Sequence, residues 1–94
     1  MRSHERRWLT GRVLERIAAG PYVYLRLHAT SGEQAWLVSL RATTPADAKV
    51  RALVVGRAER FESRRLSREF SPLLFAAVRS SAVSENSLTL ENVP

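Results

Sequence analysis

Apolar and polar residues alternate along most of this chain, and the alternation is clearest in YVYLRLH, residues 22–28. In an extended strand, successive side chains point to opposite faces. One face of this segment is aliphatic: Val23, Leu25 and Leu27. The other face carries aromatic and basic residues: Tyr22, Tyr24, Arg26 and His28. The pattern predicts a half-buried strand, because aromatic and β-branched residues suit a pleated surface.

Two neighbouring segments extend this strand into a sheet. The turn sequence TSG, residues 30–32, precedes EQAWLVSL, residues 33–40, so we expect a β-hairpin. GRVLERIAAG, residues 11–20, also alternates, with Glu15 as a charged misfit among apolar positions. A helix fits residues 9–17 as well, because apolar residues recur there at every fourth position.

The middle of the chain supports two interpretations. In RATTPADAKVRALVVG, residues 41–56, Thr44 could cap a helix that has Pro45 at its first position. Alternatively, residues 43–47 form a loop and residues 49–55 form a strand. The local signals slightly favour the helix.

The order of these elements predicts the fold. We expect strands near residues 9–19, 22–29, 33–40, 49–60 and 66–79. This is a mostly β architecture, a small five-stranded OB-like barrel, and the OB fold commonly carries a variable connection or short helix between its third and fourth strands. The residues expected to be largely buried are Val13, Ile17, Val23, Leu25, Leu27, Phe61, Leu66, Phe70 and Phe75.

The length of 94 residues allows one domain with a thin core. We predict a single OB-like domain over residues 1–94, with its core at about 8–79. Residues 80–94 are predicted to form a polar tail or a frayed edge strand.

The balance of charge favours an anionic partner. The net charge is +6, and a basic surface attracts polyanions through the release of counterions. Fourteen of the fifteen lysine and arginine residues are arginine. A GC-rich genome explains that choice of arginine as well as selection does, but it does not explain the excess of positive charge.

The sequence contains no constellation typical of catalysis. It has no cysteine, and His4 and His28 lack a metal-ligand spacing. Neither histidine belongs to a nucleophile–base pattern, and the four glycines are isolated, so there is no phosphate loop. We therefore expect a non-enzyme without metal or cofactor.

A candidate binding surface follows from the predicted hairpin. Rings and positive charges together are typical of proteins that bind single-stranded nucleic acid. The candidate residues are Tyr22, Tyr24, Arg26 and His28, with Trp36 on the neighbouring strand and Arg12 and Arg16 extending the groove. The predicted function is a binding module for single-stranded nucleic acid or another anionic ligand. The alternative is an accessory module that docks an acidic protein partner, and the simplest interpretation of the tyrosines is that they only cover the hairpin.

One set of spaced residues forms a pattern of its own: Gly11, Val13, Glu15, Tyr22, Tyr24, Trp36, Phe61, Ser63, Leu66, Arg68, Phe70 and Phe75. This pattern resembles a known family, the small bacterial OB-like proteins related to nitrite reductase accessory proteins. The most specific part of the pattern is FxSxxLxRxF at residues 61–70. The resemblance implies an OB-like barrel with a strand at residues 49–55, and it favours the accessory role.

Neither a signal-peptide core nor an apolar run long enough to span a bilayer is present in the sequence. We therefore expect a cytoplasmic protein, or a periplasmic one if an export signal has been removed. The oligomeric state is not predicted by any pattern in the chain.

The stretch FESRRLSREF, residues 61–70, places charges between apolar residues. Arg68 lies between Leu66 and Phe70 in strand parity, as Glu15 lies among apolar positions on the first strand. Because a buried charge requires a partner, we predict a structural ion pair between Glu15 and Arg68. The alternative is a bend near Ser67 that lets Arg68 extend into water over Phe70.

Overall fold

The computed structural model describes residues 6–81 of the chain. These residues form seven β-strands and one short 3-10 turn at Arg41–Thr43. The strands are β1 (Arg7–Ala19), β2 (Tyr22–Ala29), β3 (Gln34–Leu40), β4 (Lys49–Ala58), β5 (Phe61–Ser63), β6 (Arg68–Phe70) and β7 (Leu73–Ser80).

Five of the strands close into a barrel in the order β1-β2-β3-β7-β4. Neighbours are antiparallel except for β3 and β7, which run parallel. The long β1 pairs with β4 through its first half and with β2 through its second half, and this closes the ring. The predicted mostly β fold with a five-stranded OB-like barrel is confirmed.

The interior of the barrel is filled by one alternate set of side chains from each strand. The buried members are Leu9, Val23, Leu25, Leu27, Ala29, Leu37, Val50, Ala52, Val54, Leu74, Ala76 and Val78. The predicted facing of β2 is therefore confirmed, since its aliphatic residues point inward. Val13 is half-buried and packs against this core.

The connection between β3 and β4 contains the 3-10 turn and an irregular stretch, and then β4 begins at Lys49. The helix interpretation of this segment was wrong, and the strand implied by the family resemblance is present. The segment forms a strand because its apolar residues alternate, so Val50, Ala52 and Val54 all point into the barrel core.

A β-bulge changes the facing of β1 near its middle. The register with β2 shifts between Val13 and Glu15, so Leu14 is an extra residue. Val13 lies opposite Leu27 on the inner side, but Ile17 lies opposite Tyr24 on the outer side. The prediction that Val13, Glu15 and Ile17 share one face was therefore wrong.

The predicted strand over residues 66–79 is two separate strands. β6 pairs with β5 as a small hairpin, in which Phe61 lies opposite Phe70. The turn is stabilised by Ser63, whose Oγ accepts a hydrogen bond from the Leu66 amide at 3.3 Å. Ser67 has φ of 52°, a left-handed conformation that reverses the chain.

β7 then begins at Leu73 and ends at Ser80. Most of the predicted polar tail, residues 82–94, lies outside the described residues. No helix within residues 6–81 has the length and apolar character that a membrane span requires.

Candidate functional site

The predicted ring surface on β2 and β3 is covered by the β5–β6 hairpin. Phe70 stacks on Tyr24 with ring centroids 5.0 Å apart and an interplanar angle of 11°. The same ring meets Trp36 edge-on at 5.1 Å. Tyr24 is only 5% exposed, so it offers no free face to a base while the hairpin is in place. The predicted role of Tyr24 as a stacking residue is corrected accordingly. Trp36 is half-buried, with Phe70 and Arg68 against its ring.

A second apolar cluster therefore lies outside the barrel, between the sheet and the hairpin. Its residues are Ile17, Ala19, Tyr24, Trp36, Val38, Phe61, Leu66, Phe70, Leu73 and Phe75. Phe61, Leu66 and Phe75 were expected to be largely buried and are half-buried here, whereas Phe70 is fully buried.

Tyr22 lies apart from the other predicted site residues. It is 47% exposed and lines an apolar groove of about 430 Å³ beside β3 and β7. Leu40 and Val55 contribute further exposed apolar surface to the same groove. Among the described residues, those that line this groove include no basic side chain.

Arg26 is engaged by its neighbours on both sides. Its Nε lies 3.3 Å from Oε1 of Glu15, and its Nη1 donates to Gln34 at 3.5 Å. Glu15 stands directly opposite Arg26 across β1 and β2, which the bulge at Leu14 makes possible.

The predicted ion pair between Glu15 and Arg68 was wrong. Arg68 is exposed, and its Cζ lies 4.8 Å from the ring centroids of both Trp36 and Phe70. The alternative interpretation, an arginine extending into water over Phe70, describes its position.

Arg12 and Arg16 do not extend one groove. Arg12 precedes the bulge and points outward beside His28, whereas Arg16 follows the bulge and lies opposite the inward-facing Leu25. Because the extra residue reverses the parity of the strand, the two guanidinium groups leave β1 on different faces. Of the seven predicted binding residues, the structure pairs Arg12 with His28 across β1 and β2, and Arg26 with Trp36 across β2 and β3. Tyr24 and Trp36 both contact Phe70.

The outer surface of β2, β1 and β4 carries a transverse row of basic residues. Arg12 lies directly opposite His28 on one side and directly opposite Lys49 on the other. Directly opposed residues of an antiparallel pair have Cβ atoms about 4.5–5.5 Å apart. Three side chains that can carry positive charge are thus held next to one another by the register of three strands.

A second row continues the positive surface across β4 and β7. Arg51 lies opposite Thr10 on one side and opposite Arg79 on the other. We name the combined surface the basic face; its residues are Arg12, His28, Lys49, Arg51 and Arg79.

Carboxylates do not neutralise this surface within the part of the chain that the structure describes. The four salt bridges found there use other arginines: Arg7 with Glu33, Arg26 with Glu15, Arg57 with Glu59, and Arg60 with Glu69. Asp47, which precedes β4, accepts a hydrogen bond from Ser80. No side chain of the basic face therefore forms a salt bridge with a carboxylate among residues 6–81.

A shallow depression adjoins the first row of the basic face. Its volume is about 320 Å³, and it is lined by Thr10, Gly11, Arg12, His28, Ala29, Thr30, Lys49 and Ser81. Hydroxyl groups beside cationic groups supply the donors that phosphate oxygens require. Among the described residues there is no cluster of three or more metal-ligating side chains.

No protein-family profile matches this chain, and neither a curated protein nor a solved structure is significantly similar to it. The resemblance to proteins related to nitrite reductase accessory proteins stays a prediction. The case for a function therefore depends on the geometry of the basic face.

Sequence reasoning missed three of the five residues of the basic face: Lys49, Arg51 and Arg79. Lys49 and Arg51 share the outward parity of β4, and this signal was present in the alternation of KVRALVV, residues 49–55. It was obscured because the segment also fitted a helix. The pairing of Arg51 with Arg79 depends on the neighbour relation of β4 and β7, which alternation does not encode.

Proposed function

We propose that this protein is a non-catalytic binding module that holds nucleic acid by its phosphate backbone on the basic face. The observation that carries the proposal is the register-matched row of Lys49, Arg12 and His28 without a carboxylate partner among residues 6–81. Arg51 and Arg79 widen the same surface.

Folding alone gives no reason for such a row. Like charges placed directly opposite one another in a sheet are destabilising. A polyanion reverses that cost, because each cation that neutralises a phosphate releases a condensed counterion. The arrangement therefore favours the ligand-bound state over the free one.

The location differs from the usual OB site, which uses the outer face of strands 2 and 3 with the adjacent loops. In this chain the β5–β6 hairpin covers part of that face, where Phe70 of the hairpin packs against Trp36 of β3. The basic face lies on the outer surface of β1, β4 and β7 and at the His28 end of β2, and it remains open among the described residues.

Removing charge from the basic face should weaken binding and reduce its dependence on salt. We expect the triple variant Arg12→Gln, Lys49→Gln, Arg79→Gln to bind a labelled 12-nucleotide single strand at least tenfold more weakly at low salt. The slope of log K against log salt should fall in magnitude by about 2, since each phosphate contact to a single strand contributes about 0.7. Fluorescence anisotropy from about 50 to 200 mM salt measures both quantities.

The matched control removes the same charge elsewhere: Arg41→Gln, Arg64→Gln, Arg65→Gln, all exposed positions outside the basic face. This variant should keep most of the wild-type affinity. Equal weakening by the two triple variants would assign the binding to net charge alone. Absence of wild-type binding at micromolar protein would refute the proposal.

The same titration tests the accessory role. An acidic protein partner would also be attracted to the basic face, but a carboxylate polymer lacks phosphates and bases. If polyglutamate of matched charge binds as tightly as the oligonucleotide, the basic face serves an acidic protein instead.

A further inference from the structure

An exposed tryptophan adjoins the basic face at the start of the barrel. Trp8 on β1 shares the outward parity of Thr10 and Arg12, and it lies opposite Leu53 of β4. The Trp8 side chain is 49% exposed. Trp36, the other tryptophan, is less exposed because Phe70 and Arg68 pack against its ring. Tryptophan is enriched at binding interfaces, because its ring supplies a large apolar surface and its N–H can still reach a polar partner.

Arg51 holds the indole in place from within the basic face. Its Cζ lies 4.7 Å from the ring centroid, a cation–π contact that restricts the orientation of the ring. The Nε of Arg51 is buried and has no hydrogen-bond partner in the described chain, and no salt bridge there involves this guanidinium. Arg51 therefore links the ring to the phosphate-binding surface.

From this arrangement we infer that Trp8 is a base-stacking residue and that the ligand is a single strand. The inference rests on the proposed function, since the basic face must first hold the backbone. Arg51 supports one face of the indole, and a base stacks on the open face. Arg12 follows Trp8 by four positions along β1, about 13 Å at the rise of a strand, so a few nucleotides span both groups.

The chemistry excludes a duplex at this position. Bases in a duplex are stacked on one another and present only their edges in the grooves. A ring that stacks on a base face requires an unpaired base, and proteins that bind single strands combine such rings with a positive groove. Trp8 together with the basic face meets both requirements.

The test compares three ligands: an oligothymidine of 12 nucleotides, an abasic oligomer of equal length and charge, and a duplex of 12 base pairs. Trp8→Ala should weaken oligothymidine binding about fivefold to 150-fold, the range for one stacked base. It should leave binding of the abasic oligomer within about twofold. Trp8→Phe keeps a ring and should restore most of the affinity, and circular dichroism verifies that each variant is folded.

Fluorescence gives an independent readout. In a Trp36→Phe background Trp8 is the one remaining tryptophan of the chain. Its emission should be quenched by oligothymidine and much less by the abasic oligomer, because only a base can stack on the indole.

The outcomes separate the two proposals. If wild-type protein binds none of the three ligands, the proposed function fails. If it binds the abasic oligomer and oligothymidine equally, with Trp8→Ala unchanged and Trp8 emission unquenched, the basic face stands and the stacking role of Trp8 is overturned. A preference for the duplex over the single strand would overturn it too.

Discussion

At the scale of single residues, Arg68 shows why an arginine can separate two core residues. Phe70 belongs to the hairpin and is buried between the hairpin and the sheet, where it contacts Trp36. The Arg68 guanidinium lies over both rings at 4.8 Å, so the side chain covers aromatic surface while its charge stays exposed. The left-handed backbone conformation of Ser67, the preceding residue, reverses the chain just before Arg68. The charge needs no buried partner, because it never leaves solvent.

Double-mutant cycles test this position. Arg68→Met should lower the free energy of unfolding by about 0.5–1 kcal/mol, the usual value of an exposed cation–π contact. Its effect should add to that of Glu15→Gln within about 0.5 kcal/mol, because the two residues share no contact. The effects of Arg68→Met and Trp36→Leu on the free energy of unfolding should be non-additive, because the two side chains are in contact. Urea denaturation supplies all the values, and coupling between Glu15 and Arg68 would restore the ion pair to consideration.

At the scale of elements, the β5–β6 hairpin is a cover built from the sequence FESRRLSREF. Its three anchoring side chains, Phe61, Leu66 and Phe70, turn toward the sheet and form a small core of their own with it. Phe61 meets Phe75 edge-on at 6.2 Å, and Phe70 stacks on Tyr24. Each aromatic pair contributes about 0.5–1.5 kcal/mol beyond the burial of area.

Removing the central ring should release the cover without opening the barrel. In a Trp8→Phe background, Phe70→Ala should cost about 3–5 kcal/mol of hairpin docking. Trp36 would then meet water, so its emission should shift to longer wavelength while the β signal in circular dichroism persists. Glu62→Ala, an exposed change on the same hairpin, is the control and should leave the emission unchanged. An unshifted spectrum in Phe70→Ala would show that Phe70 does not hold the hairpin.

At the scale of the whole molecule, closure of the barrel requires β1 to pair with both β2 and β4. Gly11 lies opposite both Ala29 of β2 and Val50 of β4, at the point where the two pairings overlap. A Cβ added to Gly11 would lie 2.2 Å from the carbonyl oxygen of His28 and 2.7 Å from the Cα of Ala29. Backbone atoms of β2 therefore occupy the space that any other side chain needs.

Substituting this glycine should loosen the barrel as a whole. We expect Gly11→Ala to lower the free energy of unfolding by about 1–3 kcal/mol or more, because the added methyl group clashes with backbone atoms and not with a flexible side chain. Thermal denaturation followed by circular dichroism measures the loss. Leu14→Ala, an exposed change on the same strand, should have a much smaller effect. Equal stability of Gly11→Ala and the parent would mean that β1 and β2 separate easily.

The sequence predicted the barrel because alternation determines which side chains point inward, as in Val23, Leu25 and Leu27. It did not predict the candidate site, because the basic face depends on relations between strands. The bulge at Leu14 adds one residue without any local signature, and it alone separates Arg16 from Arg12 and joins Glu15 to Arg26. The row of the basic face likewise arises from register between segments far apart in the chain. Tyr24 and Trp36 looked available because the hairpin that covers them was taken for part of the last strand.

The pairing order of the strands also has a consequence for how the chain acquires its shape during synthesis. β1, β2 and β3 are successive antiparallel neighbours and can pair as soon as they emerge. The seams between β1 and β4 and between β3 and β7 join distant segments, and such contacts are delayed by the entropy of closing long loops. We therefore expect the β1–β2–β3 meander to pair first, which leaves the edge of β3 unpaired until β7 is added. An unpaired strand edge is a hazard for aggregation. Only when β7 arrives and joins both β3 and β4 does that hazard end.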